Sequence, residues 1–401
     1  MTQTSPLGSQ LPLSGVRVVA LEQAVAAPLA TRHLADLGAE VVKVERLGEG
    51  DFARAYDASV QGVASHFVWL NRGKESIAVD LKSDEGRELV LRLLDEADVF
   101  VQNLAPGAAD RLGLDADSLT ERNPRLVVVG LTGYGTSGPR RDRKAYDMLV
   151  QAESGLVSIT GTPEDATKTG IPTSDIAAGM YVLTSVLSAL YRRERTGQGA
   201  VIDVSMFDAT VEWLGHPMYV QMYEGRQLPR MGLSHAAIAP YDAYPTTDGQ
   251  VLIGVQNDRG WQMLCHKVFA DPDLAEDPLF VRNVDRVAHR AQLDAAVAER
   301  SSRMSTAELE EALESAGVAA AQVNDMAGLV AHPQLSERDR WRDIGTEGGP
   351  VRALLPPMNF RDVELPMGNV PALGQHTTDV LARAGLSPEE IAELRQHRTV
   401  Q

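Results

Sequence analysis

Asp175 stands in the run Gly170-Ile-Pro-Thr-Ser-Asp-Ile-Ala-Ala-Gly179, a carboxylate between a turn and an apolar stretch. Pro172 disfavours helix in the residue before it, Ser174 and Asp175 are natural helix-start residues, and Ile176 to Thr196 predicts a helix. The partial positive charge of a helix N-terminus favours the ionised carboxylate, and the small residues Ala177, Ala178 and Gly179 let a bulky substrate approach. A carboxylate so placed can serve as a nucleophile. A plain capping aspartate has the same local signature, so this segment alone leaves both readings open.

Other chemistries find little support. Gly133-Tyr-Gly-Thr-Ser-Gly138 matches G-x-G-x-x-G after a strong strand, but Pro139 and the charged run Arg140 to Lys144 follow at once. No long amphipathic helix opens on the third glycine, which argues against NAD or FAD and for a tight mobile loop. The sequence has no P-loop, H-E-x-x-H, C-x-x-C or G-x-S-x-G, and its nine histidines show no metal-ligand spacing. No metal is expected.

At 401 residues and 44% hydrophobic content, the chain has material for two domains. Its formal charge of −17 argues against nucleic acid. The single cysteine, Cys265, excludes an intramolecular disulfide and suits a reducing cytoplasm; within an apolar segment it reads as a small buried hydrophobe. No apolar run is read as a membrane span, and residues 1–10 read as a loose end rather than a signal peptide.

The first half alternates strands and helices. Strands are expected at Val16–Leu21, Glu40–Val44, Ser76–Asp80, Val99–Gln102 and Leu126–Leu131, with helices at Ala27–Leu37 and Ser83–Asp95. This alternation predicts a mostly parallel sheet covered by helices on both faces. Helices follow at Ile176–Thr196 and Met206–Tyr223. After Arg226 the texture becomes α+β. Strands at Tyr241–Tyr244 and Gln250–Val255 flank the turn Thr247-Asp-Gly249, and helices are expected at Trp261–Phe269, Arg286–Glu299 and Ser305–Ser315, the last opened by a Ser305/Glu308 capping box. From Val351 the chain reads as irregular until helices at Thr377–Ala384 and Pro388–Gln396. The implied division is a large domain over 1–225, a small one over 226–335 and a returning segment over 336–401.

Ordered blocks carry a resemblance over nearly the whole chain. They include Leu37-Gly-Ala-Glu-Val-Val-Lys-Val-Glu45, Asn71-Arg-Gly-Lys-Glu-Ser-Ile-Ala-Val-Asp-Leu81, Asn103-Leu-Ala-Pro-Gly107, Gly133-Tyr-Gly-Thr-Ser-Gly-Pro139, Asp175-Ile-Ala-Ala-Gly179 and Leu373-Gly-Gln-His-Thr377. The sequence resembles the family III CoA-transferases, the carnitine and bile-acid CoA-transferase group. That resemblance implies a Rossmann-like large domain, a smaller α+β domain and an interlocked homodimer. It implies that Asp175 carries the acyl group, and that acyl-CoA and a free carboxylic acid are the substrates. CoA would be lined by Val25, Ala26, Arg46, Leu70, Lys74, Asn103, Leu104, Arg111 and Lys144. Gly133, Gly135, Tyr146, Gly232 and His235 would touch substrate or form lids, and Arg54 and Arg72 would clamp a second carboxylate.

CoA is polyanionic, so an acidic protein must gather a local basic cluster; Arg140, Arg141 and Arg143 join the cations above as candidates. Racemases of the same family pair the aspartate with a histidine, where this sequence has Ala145-Tyr146-Asp147. A tyrosine is a poor neutral-pH base, which favours transfer over racemisation. Small dicarboxylates are the first expectation for the acceptor, and an idle CoA-binding scaffold is the alternative outside catalysis.

Overall fold

The computed structural model describes residues 11–401, which divide into two compact units. The first comprises the described residues up to Leu156, Thr169–His216 and Asp339–Gln401; the second comprises Val157–Lys168 and Pro217–Arg338.

In the first unit, β1 (Arg17–Leu21), α1 (Ala26–Asp36), β2 (Glu40–Glu45), α2 (Ser65–Asn71), β3 (Glu75–Ala78), α3 (Asp84–Asp95) and β4 (Val99–Gln102) follow one another. Then come the short α4 (Ala108–Arg111) and α5 (Ala116–Arg122), β5 (Val127–Thr132), α6 (Asp147–Glu153), the single turn α7 (Leu156–Ile159), whose residues from Val157 on belong to the second unit, α8 (Thr173–Thr196), β6 (Ala200–Ser205) and α9 (Met206–Trp213). The six strands form one parallel sheet in the order β3-β2-β1-β4-β5-β6. Strand order therefore reverses between β1 and β4, where open α/β sheets form their ligand crevice at the carboxyl ends.

Alternation along the strands builds a core on each face. Val18, Val99, Val101, Val127 and Val129 pack with α1, α8 and α9, while Val19, Phe100 and Val128 pack with α3, α5 and the C-terminal helices. The tail is tied to β3: the Ser76 N–H donates to His376 Nδ1 at 3.2 Å, and the His376 N–H donates to Ser76 O at 2.9 Å.

The second unit holds a three-stranded antiparallel sheet of β7 (Tyr241–Pro245), β8 (Gln250–Gly254) and β9 (Ala319–Gln322). Its core contains Trp261, Leu264, Cys265, Leu293 and Leu313, and the fully buried Arg286 is bonded to Ala239 O, Phe280 O and Asp258.

Several expectations are corrected. The segment after Val351 is not irregular at its start: Trp341–Thr346 and Gly349–Leu354 pair as an antiparallel hairpin, β10 and β11. The helix expected over Met206–Tyr223 breaks at Leu214, with α10 running over Gly215–Glu224. Trp261–Phe269 is an α-helix only to Met263 and continues as a π turn over Leu264–Val268. The 24-residue α8 is long and apolar enough to cross a membrane by length and composition, contrary to the sequence reading. One of its faces, including Ala177, Ala178, Val182 and Val186, is fully buried in the sheet-covering core, as in the core helix of a globular protein.

Candidate active site

Helix α8 begins at Thr173, so Asp175 lies inside its first turn. Pro172 occupies the capping position and offers no side-chain cap. Asp147, at the start of α6, supplies one from a distant part of the chain: its Oδ1 accepts the N–H of Ser174 at 2.8 Å and that of Asp175 at 3.4 Å. Its Oδ2 accepts from Gln151 Nε2 at 2.7 Å, and Gln151 Oε1 in turn accepts the Thr169 N–H at 3.1 Å.

This arrangement reverses the electrostatics expected for Asp175. The helix N–H groups that would favour its charge are already spent on Asp147, a second carboxylate. Burial, then repulsion by Asp147, pushes the Asp175 carboxyl up from its ordinary 3.8 to about 7. The side chain keeps a partial opening to solvent although protein atoms crowd it. It is a weakly solvated carboxylate whose proton is in play near neutral pH, the condition for a nucleophile or a general base.

Around it the sheet's reversal point supplies the rest. The Tyr56 phenol is pushed up to about 12 by desolvation and then by the charges of Asp51, Asp175 and Tyr146, which keeps it protonated. Ile176 packs on a cluster of Val25, Leu29 and Leu70, joining the first turn of α8 to the loop leaving β1. Gly179 sets the closeness of that contact, since a Cβ there would lie 2.5 Å from Ala26 O. A cleft of about 550 Å³ opens at the carboxyl ends of β1 and β2, lined by Gln23, Arg46, Leu47, Gly50, Lys82 and Leu104 among others. Beside it, at the ends of β4 and β5, lies one of about 330 Å³ lined by Gln102, Leu104, Gly130, Thr136 and Arg141 among others. Asp175 lines neither.

Comparison with known proteins settles which kind of protein builds this site. The family described as CoA-transferase family III matches residues 13–377. The chain belongs to that family. Among its relatives, acetyl-CoA:oxalate CoA-transferase of Acetobacter aceti is 38% identical over 88% of this chain and 92% of that one. Succinate–glutarate CoA-transferase of Agrobacterium fabrum is 34% identical over 92% and 95%. A CAIB/BAIF family protein from Brucella suis superposes with a TM-score of 0.83 at 36% identity, covering 93% of this chain and 99% of that one. A family III CoA-transferase is an enzyme of the transferase type, and CoA is its cosubstrate.

The structure sorts the residues that the sequence singled out for this CoA-transferase. Tyr146 is exposed and within electrostatic reach of Tyr56. Arg46 is exposed and lines the larger cleft with Leu104; Arg111 and Lys144 are also exposed. Val25, Ala26 and Leu70 are buried, with Val25 and Leu70 packed beside Ile176. Asn103 is occupied by backbone: its Oδ1 accepts the Gln23 N–H and its Nδ2 donates to Gln23 O, both at 2.9 Å.

Three cations are corrected. Lys74 is fully buried, and its three ammonium donors go to Glu22 at 2.7 Å, Pro28 O at 3.0 Å and Asn71 at 3.0 Å, leaving none for a phosphate. Arg72 forms a bidentate pair with Asp36, both bonds at 2.8 Å. Arg54 does the same with Glu45 at 2.8 and 2.7 Å and lays its guanidinium over Phe67. In each, the Nε/Nη2 edge that would grip a carboxylate is taken from within, which removes that edge for a substrate carboxylate.

Gly133 packs against Ala145, where a Cβ would lie 2.1 Å away, while Gly135 adopts a positive φ in open space. In the second unit Gly232 donates to Gly161 O at 2.8 Å, and His235 stacks on Tyr241.

Sequence reading missed Asp147 as the distant cap, Tyr56, Lys82 and the buried charges Glu22, Lys43 and Asp51. Asp147 stood out only in the run Ala145-Tyr146-Asp147, with nothing local to mark it as a cap; Glu22, Lys43 and Asp51 look locally like surface residues. Among the described residues no His, Cys, Asp and Glu cluster could hold a metal ion.

Proposed function

We propose that this protein moves CoA from an acyl-CoA to a small dicarboxylic acid through covalent intermediates on Asp175. The observation that carries the reading is the Asp175 carboxyl itself, desolvated, shifted to about 7 and held beside the reversal point of a parallel sheet. The names of relatives acting on oxalate, on succinate and glutarate, and on mesaconate support a dicarboxylate acceptor.

A carboxylate oxygen of Asp175 attacks the thioester carbon, the C–S bond breaks, and a mixed anhydride and CoA thiolate form. The thiolate attacks the Asp175 carboxyl carbon, releasing the donor acid and leaving an aspartyl-CoA thioester. The acceptor carboxylate then attacks that carbon and expels the thiolate, giving a second anhydride. Thiolate attack on the acceptor's carbonyl yields the new acyl-CoA and restores Asp175. Each step exchanges one activated acyl bond for another, so the thioester energy is retained. The protonated Tyr56 is suited to donate to developing oxyanions, and Arg46 and Lys82 at the larger cleft are suited to CoA phosphates.

The working unit in this reading is an interlocked homodimer. Large apolar side chains exposed on consecutive helices support it: Trp213, Tyr219, Met222 and Tyr223. A single, buried Cys265 suits a cytoplasmic setting.

The test incubates purified protein with succinyl-CoA and a panel of free dicarboxylic acids and follows acyl-CoA species by mass spectrometry. New thioesters that vanish with Asp175→Ala, and CoA or acyl mass on the peptide containing Asp175, are expected. Binding of CoA with neither result would make the protein an idle scaffold. Deuterium exchange at the α-carbon of a branched acyl-CoA without transfer would replace the reading by racemisation.

A further inference from the structure

We propose that Asp51 is a positioning residue for acyl-CoA, acting through the loop Gln23–Val25 that it holds at the reversal point of the sheet. The inference rests on the CoA-transfer reading above and extends it to a residue remote from Asp175 in sequence.

The loop is short and strained. Ala24 sits at φ 65°, a left-handed conformation that a residue with a Cβ adopts only where its surroundings impose it. Those surroundings are side chains. Lys43 Nζ donates to Glu22 O at 3.2 Å, Asn103 brackets both backbone groups of Gln23, and Asp51 Oδ1 accepts the N–H of Ala24 at 3.1 Å. The bond from Ala24 to Asp51 is the one made at the strained residue itself.

Asp51 is in turn fixed on every side. Its Oδ1 also accepts the Ala53 N–H at 2.9 Å, its Oδ2 takes Lys43 Nζ at 2.9 Å, and its own N–H donates to Glu45 Oε2 at 2.9 Å. Behind it, Lys43 and Lys74 converge on Glu22, whose side chain is fully buried. Buried ion networks are rarely the most stable way to fill a core, and their better-attested use is to fix one geometry among several. Here the geometry fixed is that of a loop with two working faces. Gln23 lines the 550 Å³ cleft, as does Asp51, whose carboxylate oxygens are already taken by Ala24, Ala53 and Lys43, and Val25 belongs to the cluster on which Ile176, the neighbour of Asp175, is packed. A loop that slackens would disturb CoA binding without removing any group that reacts.

The experiment separates the acceptor oxygen of Asp51 from its charge. In a Lys43→Met background, Asp51→Asn and Asp51→Leu both lack the ion pair, but only asparagine keeps an oxygen for the Ala24 N–H. CoA affinity of the full-length protein is measured by calorimetry, and steady-state rates are measured with succinyl-CoA. We expect the asparagine form to bind CoA within ~3-fold of the Lys43→Met single variant, which already lacks the bond to Glu22 O, and the leucine form at least ~10-fold more weakly than the asparagine form, with a matching rise in KM and little change in kcat. Equal affinities in the two double variants would overturn the proposal, because a merely structural residue would lower the melting temperature and leave KM alone. If leucine is not accommodated, Asp51→Ala in the same background gives the same comparison. Failure of the wild-type protein to bind CoA would overturn the CoA-transfer reading instead.

Discussion

A carboxylate that attacks a thioester must be ionised yet poorly solvated, two demands that oppose each other. Asp175, the nucleophile of the proposed reaction, would meet them with a proton held up to about 7 by burial and by Asp147. Activity should therefore rise with pH through about 7 as Asp175 ionises, which a pH profile of kcat/KM would show as an acid limb. The same shift has a cost for stability. The folded state holds this proton more tightly than the unfolded chain, so the contribution of Asp175 to stability is whole below about pH 4, declines as pH rises towards 7 and is level above it. Asp175→Asn escapes that decline. Denaturant unfolding should find it more stable than wild type by roughly 1–3 kcal/mol at pH 8, with no such advantage at pH 4, while transfer falls by at least ~10³-fold. A variant both dead and stabilised at high pH is the signature of a strained functional group; loss of stability at pH 8 would contradict it.

At the scale of elements, the first turn of α8 is shaped by partners that no local pattern announces. The sequence marked Ser174 and Asp175 as the start of the helix, but the actual cap, Asp147, lies 28 positions before Asp175. Capping rules read neighbours a few residues apart, and this cap is tertiary. Asp147→Asn keeps an acceptor for the Ser174 N–H while removing the repelling charge. The acid limb of the pH profile should move to lower pH, with the protein still folded. Gly179 makes the complementary case. It matched a family block, but its reason is steric: a methyl group 2.5 Å from Ala26 O would force α1 and α8 apart. Gly179→Ala should cost about 1–3 kcal/mol in urea unfolding and reduce transfer, in spite of alanine's better helix propensity. The first five sheet strands were legible because they are short apolar runs. β6 and the β10–β11 hairpin were missed, because half-exposed strands interrupted by Asp, Gly and Pro lack that signal.

At the scale of the molecule, strand–helix alternation made a parallel sheet legible, but not the charges at its crevice. Lys43 and Glu45 lie towards the carboxyl end of β2, where Glu22, Asp51 and Arg54 enclose them, so they are buried, whereas Glu40 at the other end is exposed. A sequence window cannot distinguish these ends until the sheet is assembled. The association of chains is likewise not a property of one fold unit. Yet α9 and α10 expose Trp213, Tyr219, Met222 and Tyr223, with the last 79% exposed and stacked on Tyr219 at 6.0 Å. Aromatic and methionine side chains exposed along one helix, as Tyr219, Met222 and Tyr223 are on α10, are typical of surfaces that another chain covers. Light scattering coupled to size exclusion should find a dimer. Tyr219→Lys with Tyr223→Lys should drive it towards monomer and reduce transfer, because charges placed in an apolar interface are costly to desolvate. A wild-type monomer with full activity would refute the dimer. A dimer indifferent to both substitutions would place its interface on another face.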